Sequence, residues 1–73
     1  MPNVADRLKE LRKAKRTTQK QISTAIGLTE SNYQLFEYGT VRPSHDSIIK
    51  LADFFEVSTD YLLGLTDNPA RMK

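Results

Sequence analysis

Ser44, His45 and Asp46 stand side by side and hold the three residue types of a hydrolytic triad. A triad is a meeting of side chains in space, and three chain neighbours do not converge in that way. Their ordinary chemistry is local: the Ser44 hydroxyl caps a helix, Asp46 complements its dipole, and His45 is a surface or rim residue. A metal site has no better basis. With no cysteine and one histidine, a thiolate or His-rich metal site, a disulfide framework and a cysteine nucleophile are all excluded, and no cofactor is implied. What is left is hydrogen-bonding chemistry, concentrated in TQKQISTAIGLTESNYQLFEYG, residues 18–39, where Thr-Glu-Ser-Asn opens the second of two short segments separated by one glycine.

Charge points to a class of partner. Residues 1–20 carry seven positive side chains (Arg7, Lys9, Arg12, Lys13, Lys15, Arg16, Lys20) against Asp6 and Glu10, whereas the remainder carries four against seven. One basic end on a chain of net charge +2 suggests a polyanion, either nucleic acid or an anionic membrane surface, and the plain alternative is a solvated helix face. Apolar runs such as YLLGL fall far below the roughly 18 residues of a membrane span. The N-terminus has no apolar signal core. We therefore expect a soluble, cytoplasmic protein with no membrane association and no metal. At 73 residues the chain allows one domain and favours helical packing.

Helical periodicity and capping residues define the elements that must position the polar run. In NVADRLKELRKAK, Asn3 caps and Val4, Leu8 and Leu11 share one stripe. Thr17 or Thr18 caps a second helix in which Ile22, Ala25 and Ile26 recur at i, i+3, i+4, and Gly27 ends it. Thr29 caps a third, with Tyr33 and Phe36 inward and Gly39 closing it. Ser44 caps a fourth carrying the stripe Ile48, Leu51, Ala52 and Phe55, and Ser58 begins a short fifth with Leu62 inward. The spacing predicts an all-α fold of five helices, with a domain over residues 1–65 and a flexible C-terminal tail over 66–73.

Two short helices joined by a tight glycine turn match the helix-turn-helix, whose second helix enters the major groove of DNA. With Tyr33 and Phe36 buried, Glu30, Ser31, Gln34 and Leu35 project outward where base edges are reached. Gln34 can bond adenine bidentately, Ser31 can serve several bases, Glu30 can accept from cytosine, and Leu35 can touch a thymine methyl. Lys15, Arg16, Thr18, Thr40 and Arg42 flank the third helix or start the second, where side chains meet phosphates. The aromatic residues fit core stripes better than a stacking platform for single strands.

From RLKELRKAK through TQKQISTAIGLTESNYQLFEYG, RPS and IIKLADFFEVSTDYLLG, residues 4–64 resemble the lambda-repressor-like (Cro-like, XRE-type) helix-turn-helix family of bacterial and phage transcription regulators. The resemblance implies that Gln19 clamps a phosphate and supports the recognition helix, and that Arg12 and Glu37 form a buried structural ion pair tying helix 1 to helix 3. The sequence departs from the family's pattern at three places. Glu30 brings negative charge towards phosphates, so that repulsion and cytosine readout both stand. Tyr38 replaces a commonly polar or basic residue and offers its hydroxyl to a phosphate. Glu56 takes a helix-end position where the family favours glycine, at a cost on the order of 1 kcal/mol.

Phe54, Tyr61 and Leu65, with Ile49 and Leu63, leave apolar surface suited to a twofold contact between two copies. The expected function is sequence-specific binding of double-stranded DNA as a homodimer on a palindromic operator, acting as a transcriptional repressor. An antitoxin and a restriction-modification controller fall within the same class. The rival is a protein-interaction module of the same fold without DNA affinity, favoured by Glu30 and the acidic C-terminal half.

Overall fold

Local capping chemistry explains where each helix starts. In the computed structural model, which describes residues 3–70, the helices are α1 (Val4–Lys15), α2 (Gln19–Ile26), α3 (Glu30–Tyr38), α4 (His45–Phe55) and α5 (Thr59–Leu62). The side chains of Asn3, Thr18, Thr29, Ser44 and Ser58 each accept from the backbone N–H three residues on, satisfying an otherwise unpaired donor of the first turn. Thr18, not Thr17, is the cap of α2, and Gln21 returns its side-chain oxygen to the Thr18 amide at 2.8 Å to complete a capping box.

The first four helices end on left-handed residues. Gly27 has φ 76°, and a Cβ added there would meet no atom within 4 Å, so the dihedral and not crowding calls for glycine. Arg16 and Glu56 adopt the same conformation with φ 56° and 57°, Glu56 as expected and Arg16 unannounced by its residue type. Because a side-chain Cβ is strained in this region, Glu56→Gly should stabilise the domain by about 1 kcal/mol and raise Tm by roughly 4–8 °C. An unchanged thermal melt would show that the strain is relieved locally.

The buried stripes meet in a single cluster formed by Leu8 of α1, Ile22 and Ile26 of α2, Tyr33 and Phe36 of α3, four residues of α4, and Val57 and Leu62. Helix α3 packs on both α1 and α2, α2 also packs on α4, and α5 bridges α4 and α1. One expected core position is wrong: Ala25 is exposed, and Ser23 takes the buried place on α2. The Ser23 hydroxyl can be buried because it donates to the Lys20 carbonyl at 2.9 Å.

The segment after α5 is in contact with the domain. Residues 66–70 fold back on the domain: Arg7 Nη2 donates to the Thr66 carbonyl at 3.3 Å and to Asp67 Oδ1 at 2.9 Å, and the Ser58 amide donates to the Pro69 carbonyl at 3.1 Å. An arginine from α1 supplies the attachment that the polar composition of the segment did not suggest. The rest of the predicted tail, residues 71–73, lies outside the described residues.

Candidate nucleic-acid interface

The angle of α3 is fixed at its C-terminal end by one buried carboxylate. Glu37 is 2 % exposed. Arg12 Nε donates to its Oε2 at 2.7 Å and Arg12 Nη2 to its Oε1 at 3.0 Å, the fork geometry that makes arginine–carboxylate pairs specific. Gln19 Nε2 donates to the same Oε1 at 3.2 Å. One side chain of α3 is thus held from α1 and from the start of α2, so the three helices form a rigid corner.

Electrostatics follow this geometry. Burial alone would push the Glu37 carboxyl up, but the hydrogen bonds from Arg12, with Tyr33 and Gln19 adding, hold it below the usual carboxylate range. Burial first, and the neighbouring Glu37 second, push the Tyr33 phenol far above its ordinary value. The Tyr33 hydroxyl makes no hydrogen bond of acceptable geometry, so its influence on Glu37 is one of proximity.

The face of α3 turned away from the buried Tyr33 and Phe36 is open. Glu30 and Ser31 are exposed, and Gln34 and Leu35 are half-buried at the helix surface. Tyr38 joins this face, and Asn32 lies beside it. Tyr38, 69 % exposed, follows Ser31 and Leu35 along one helical stripe, which puts it at the C-terminal end of the face on which the base-reading candidates lie. Asn32 is also exposed and, with Leu28, Leu35, Val41 and Arg42, lines a shallow groove beside α3. Sequence reasoning passed over Asn32, although a carboxamide in the first turn of the recognition helix was a sufficient signal, since asparagine pairs bidentately with adenine.

The candidates for phosphate contact lie on the surface, Arg42 in the groove beside α3. Lys15, Arg16, Thr18, Tyr38, Thr40 and Arg42 are exposed, whereas Gln19 is half-buried. Thr18 and Gln19 each have structural bonds in addition, the Thr18 hydroxyl accepting from the Gln21 amide at 3.0 Å. Lys15 also holds its ammonium 5.2 Å from the centre of the Phe54 ring.

The candidates for contact between copies are more dispersed in character. Leu65 is 64 % exposed, with Leu63 and Ile49 also open. Phe54 is half-buried and packs edge-on against Phe55 at 5.1 Å. Tyr61 is half-buried beneath the Arg7 guanidinium, 3.9 Å from its ring centre. Among the described residues no group of acidic or histidine side chains could hold a metal ion. None of the described helices is long and apolar enough to cross a membrane.

Comparison with known proteins agrees with this architecture. The Helix-turn-helix family model matches residues 8–62. An uncharacterised HTH-type transcriptional regulator of Bacillus subtilis, YobD, is 43 % identical over 63 residues, covering 86 % of this chain and 56 % of its own length. The cryptic phage CTXphi transcriptional repressor RstR of Vibrio cholerae is 36 % identical over 61 residues, covering 84 % of this chain and 54 % of its own. The chain thus spans about half the length of these relatives. The P22 c2 repressor, solved in complex with a synthetic operator, superposes with a TM-score of 0.81 at 21 % identity, covering 86 % of this chain and 96 % of that one, which establishes the fold. With a family match across most of its length and a lambda-repressor-like arrangement of five helices, the chain belongs to the XRE-type helix-turn-helix family.

Proposed function

We propose that this chain is a cytoplasmic, sequence-specific DNA-binding transcriptional repressor that acts without a cofactor, as a homodimer on an operator of two inverted half-sites. The observation that carries the reading is the Arg12–Glu37–Gln19 corner, which fixes α3 while the helix face turned away from Tyr33 and Phe36 offers Glu30, Ser31, Gln34 and Leu35. Base reading requires such a pairing of a rigid helix with unengaged polar side chains. Arg42 lines the groove beside α3 with Leu35, and Arg16 and Lys15 are exposed cations at the end of α1, charges suited to phosphates.

Relatives support the role: RstR is named a phage transcriptional repressor, and the P22 c2 repressor was solved on operator DNA. A single recognition helix covers only a half-site, so two copies facing each other through Leu65 and its neighbours would set two α3 helices about 34–36 Å apart, one turn of DNA.

Selection of bound duplexes from a random pool, with sedimentation of the protein on the winning site, tests this reading. Near-palindromic sites carrying two chains are expected. One asymmetric site bound by one chain would contradict the homodimer. Failure to enrich any sequence would favour the protein-interaction reading, for which exposed Glu30 is the supporting feature.

A further inference from the structure

Arg7 is the least expected side chain in the fold. It is a cation on α1 with only 7 % of its side chain exposed, and its ion-pair partner Asp67 is 96 % exposed. Its Nε is buried and has no hydrogen-bond partner among the described residues. Its guanidinium is enclosed on one side by the Tyr61 ring at 3.9 Å and on the other by the segment after α5, to which Nη2 donates twice, to the Thr66 carbonyl and to Asp67. Farther along, the Pro69 carbonyl accepts from the amide of Ser58, the residue that caps α5.

These contacts form a strap. It leaves α5, crosses Arg7 and returns to the start of α5. Leu65 lies between the two residues that Arg7 engages, Tyr61 and Asp67, and is one of the most exposed apolar side chains of the chain. Its own amide donates to the Asp60 carbonyl at 2.9 Å, which ties it to α5, and the strap held by Arg7 begins at the residue after it. The strap itself is lightly held. Its residues are mostly exposed, and the arginine beneath it is desolvated with one donor unsatisfied, a burden that lifting the strap would relieve by hydration. Attraction to Asp67 and stacking on Tyr61 oppose that release. Closed and open forms balanced in this way are the low-stability, local kind of opening.

We infer that Arg7 is a positioning residue, a clasp that holds residues 61–70 in the form in which Tyr61 and Leu65 meet a second copy of the chain, so that release of the strap and separation of the two copies are linked. The link rests on the homodimer reading above. The clasp itself rests only on the contacts within one chain.

Amide exchange and sedimentation equilibrium on the full chain, on Asp67→Ala and on Arg7→Met separate the two. Asp67 is exposed, so its replacement leaves the core intact. Arg7→Met keeps an apolar stem over Tyr61 while removing the charge. Exchange at the Ser58 amide, which is bonded to Pro69, should quicken by roughly fivefold in Asp67→Ala, the upper range for an exposed ion pair, and more in Arg7→Met. The amides of Leu8 and Leu51 should keep their wild-type rates. The dimer dissociation constant should rise as the inverse square of the closed fraction of each copy, so it moves measurably only in a variant whose strap is open in a substantial share of molecules. Unchanged Ser58 exchange in both variants would refute the clasp. A strap that exchange shows to be open in most molecules, with an unaltered dissociation constant, would refute its link to assembly. A wild-type chain that stays monomeric at every concentration would overturn the homodimer reading and that link together, while the exchange data would still judge the strap.

Discussion

Replacing Arg12 with alanine should lower the stability of the domain by about 3 kcal/mol and its Tm by at least roughly 12 °C. Glu37 is nearly fully buried, and in the variant its carboxylate would lose two of the three hydrogen bonds it accepts. An uncompensated buried charge usually costs about 3–5 kcal/mol, and the partial exposure of Arg12 argues for the lower end. A domain of this size has on the order of 4–11 kcal/mol in total, so the loss is a large share of it.

The same prediction has a pH signature. In the wild type the folded Glu37 titrates below its unfolded value, so its contribution is complete above about pH 4.3 and is lost as pH falls through the lower folded value. In Arg12→Ala, burial without the arginine raises the carboxyl instead, and that penalty grows with pH. The gap between the two proteins should therefore be widest near neutrality and should narrow below about pH 5. Thermal unfolding at several pH values reads both effects. Weakened DNA binding with an unchanged melt would identify Arg12 as a phosphate ligand and contradict its structural assignment.

How far the sequence alone carried the reading depends on the range of the interaction. Asn3, Thr18, Thr29, Ser44 and Ser58 act within one turn of themselves, and a cap plus a helical stripe suffices to locate all but the α2 cap, where Thr17 and Thr18 are adjacent and alike. The stripe of α4 was legible because eleven residues give three full turns to compare. Helix α2 has eight, too few for periodicity to choose between Ala25 and Ser23, and the choice turned on a hydroxyl satisfied by its own helix. Arg16 gave no signal because its left-handed conformation is imposed by the ends of two helices and not by its own chemistry.

Longer contacts were legible only where the family resemblance supplied them. Arg12 and Glu37, 25 residues apart, were expected as a pair and are one. Gln19 was expected to clamp a phosphate, and the structure adds a bond to Glu37 that spacing could not announce. Arg7 and Asp67, 60 residues apart, had no such guide. Each looked like an ordinary solvated charge, so the folded-back strap was missed along with the burial of Arg7.

The second large effect concerns the open face of α3. Gln34→Ala should cost about 1–3 kcal/mol on the preferred operator, relax selectivity at one base pair per half-site, and leave the salt dependence almost unchanged. The carboxamide carries no charge, so it displaces no counterion. Arg42→Ala should do the reverse, weakening all sequences alike and reducing the salt slope by about one unit through the loss of one neutralised phosphate. The contrast matters because both residues are near α3 and a general loss of fold would affect them equally.

The most direct measurement is a titration of the wild type, Gln34→Ala and Arg42→Ala against the selected operator and a scrambled duplex at several salt concentrations. The ratio of operator to scrambled affinity should fall in Gln34→Ala and hold in Arg42→Ala, while the salt slope should change only in Arg42→Ala. An operator preference that survives intact in Gln34→Ala would contradict base reading by α3 through this residue.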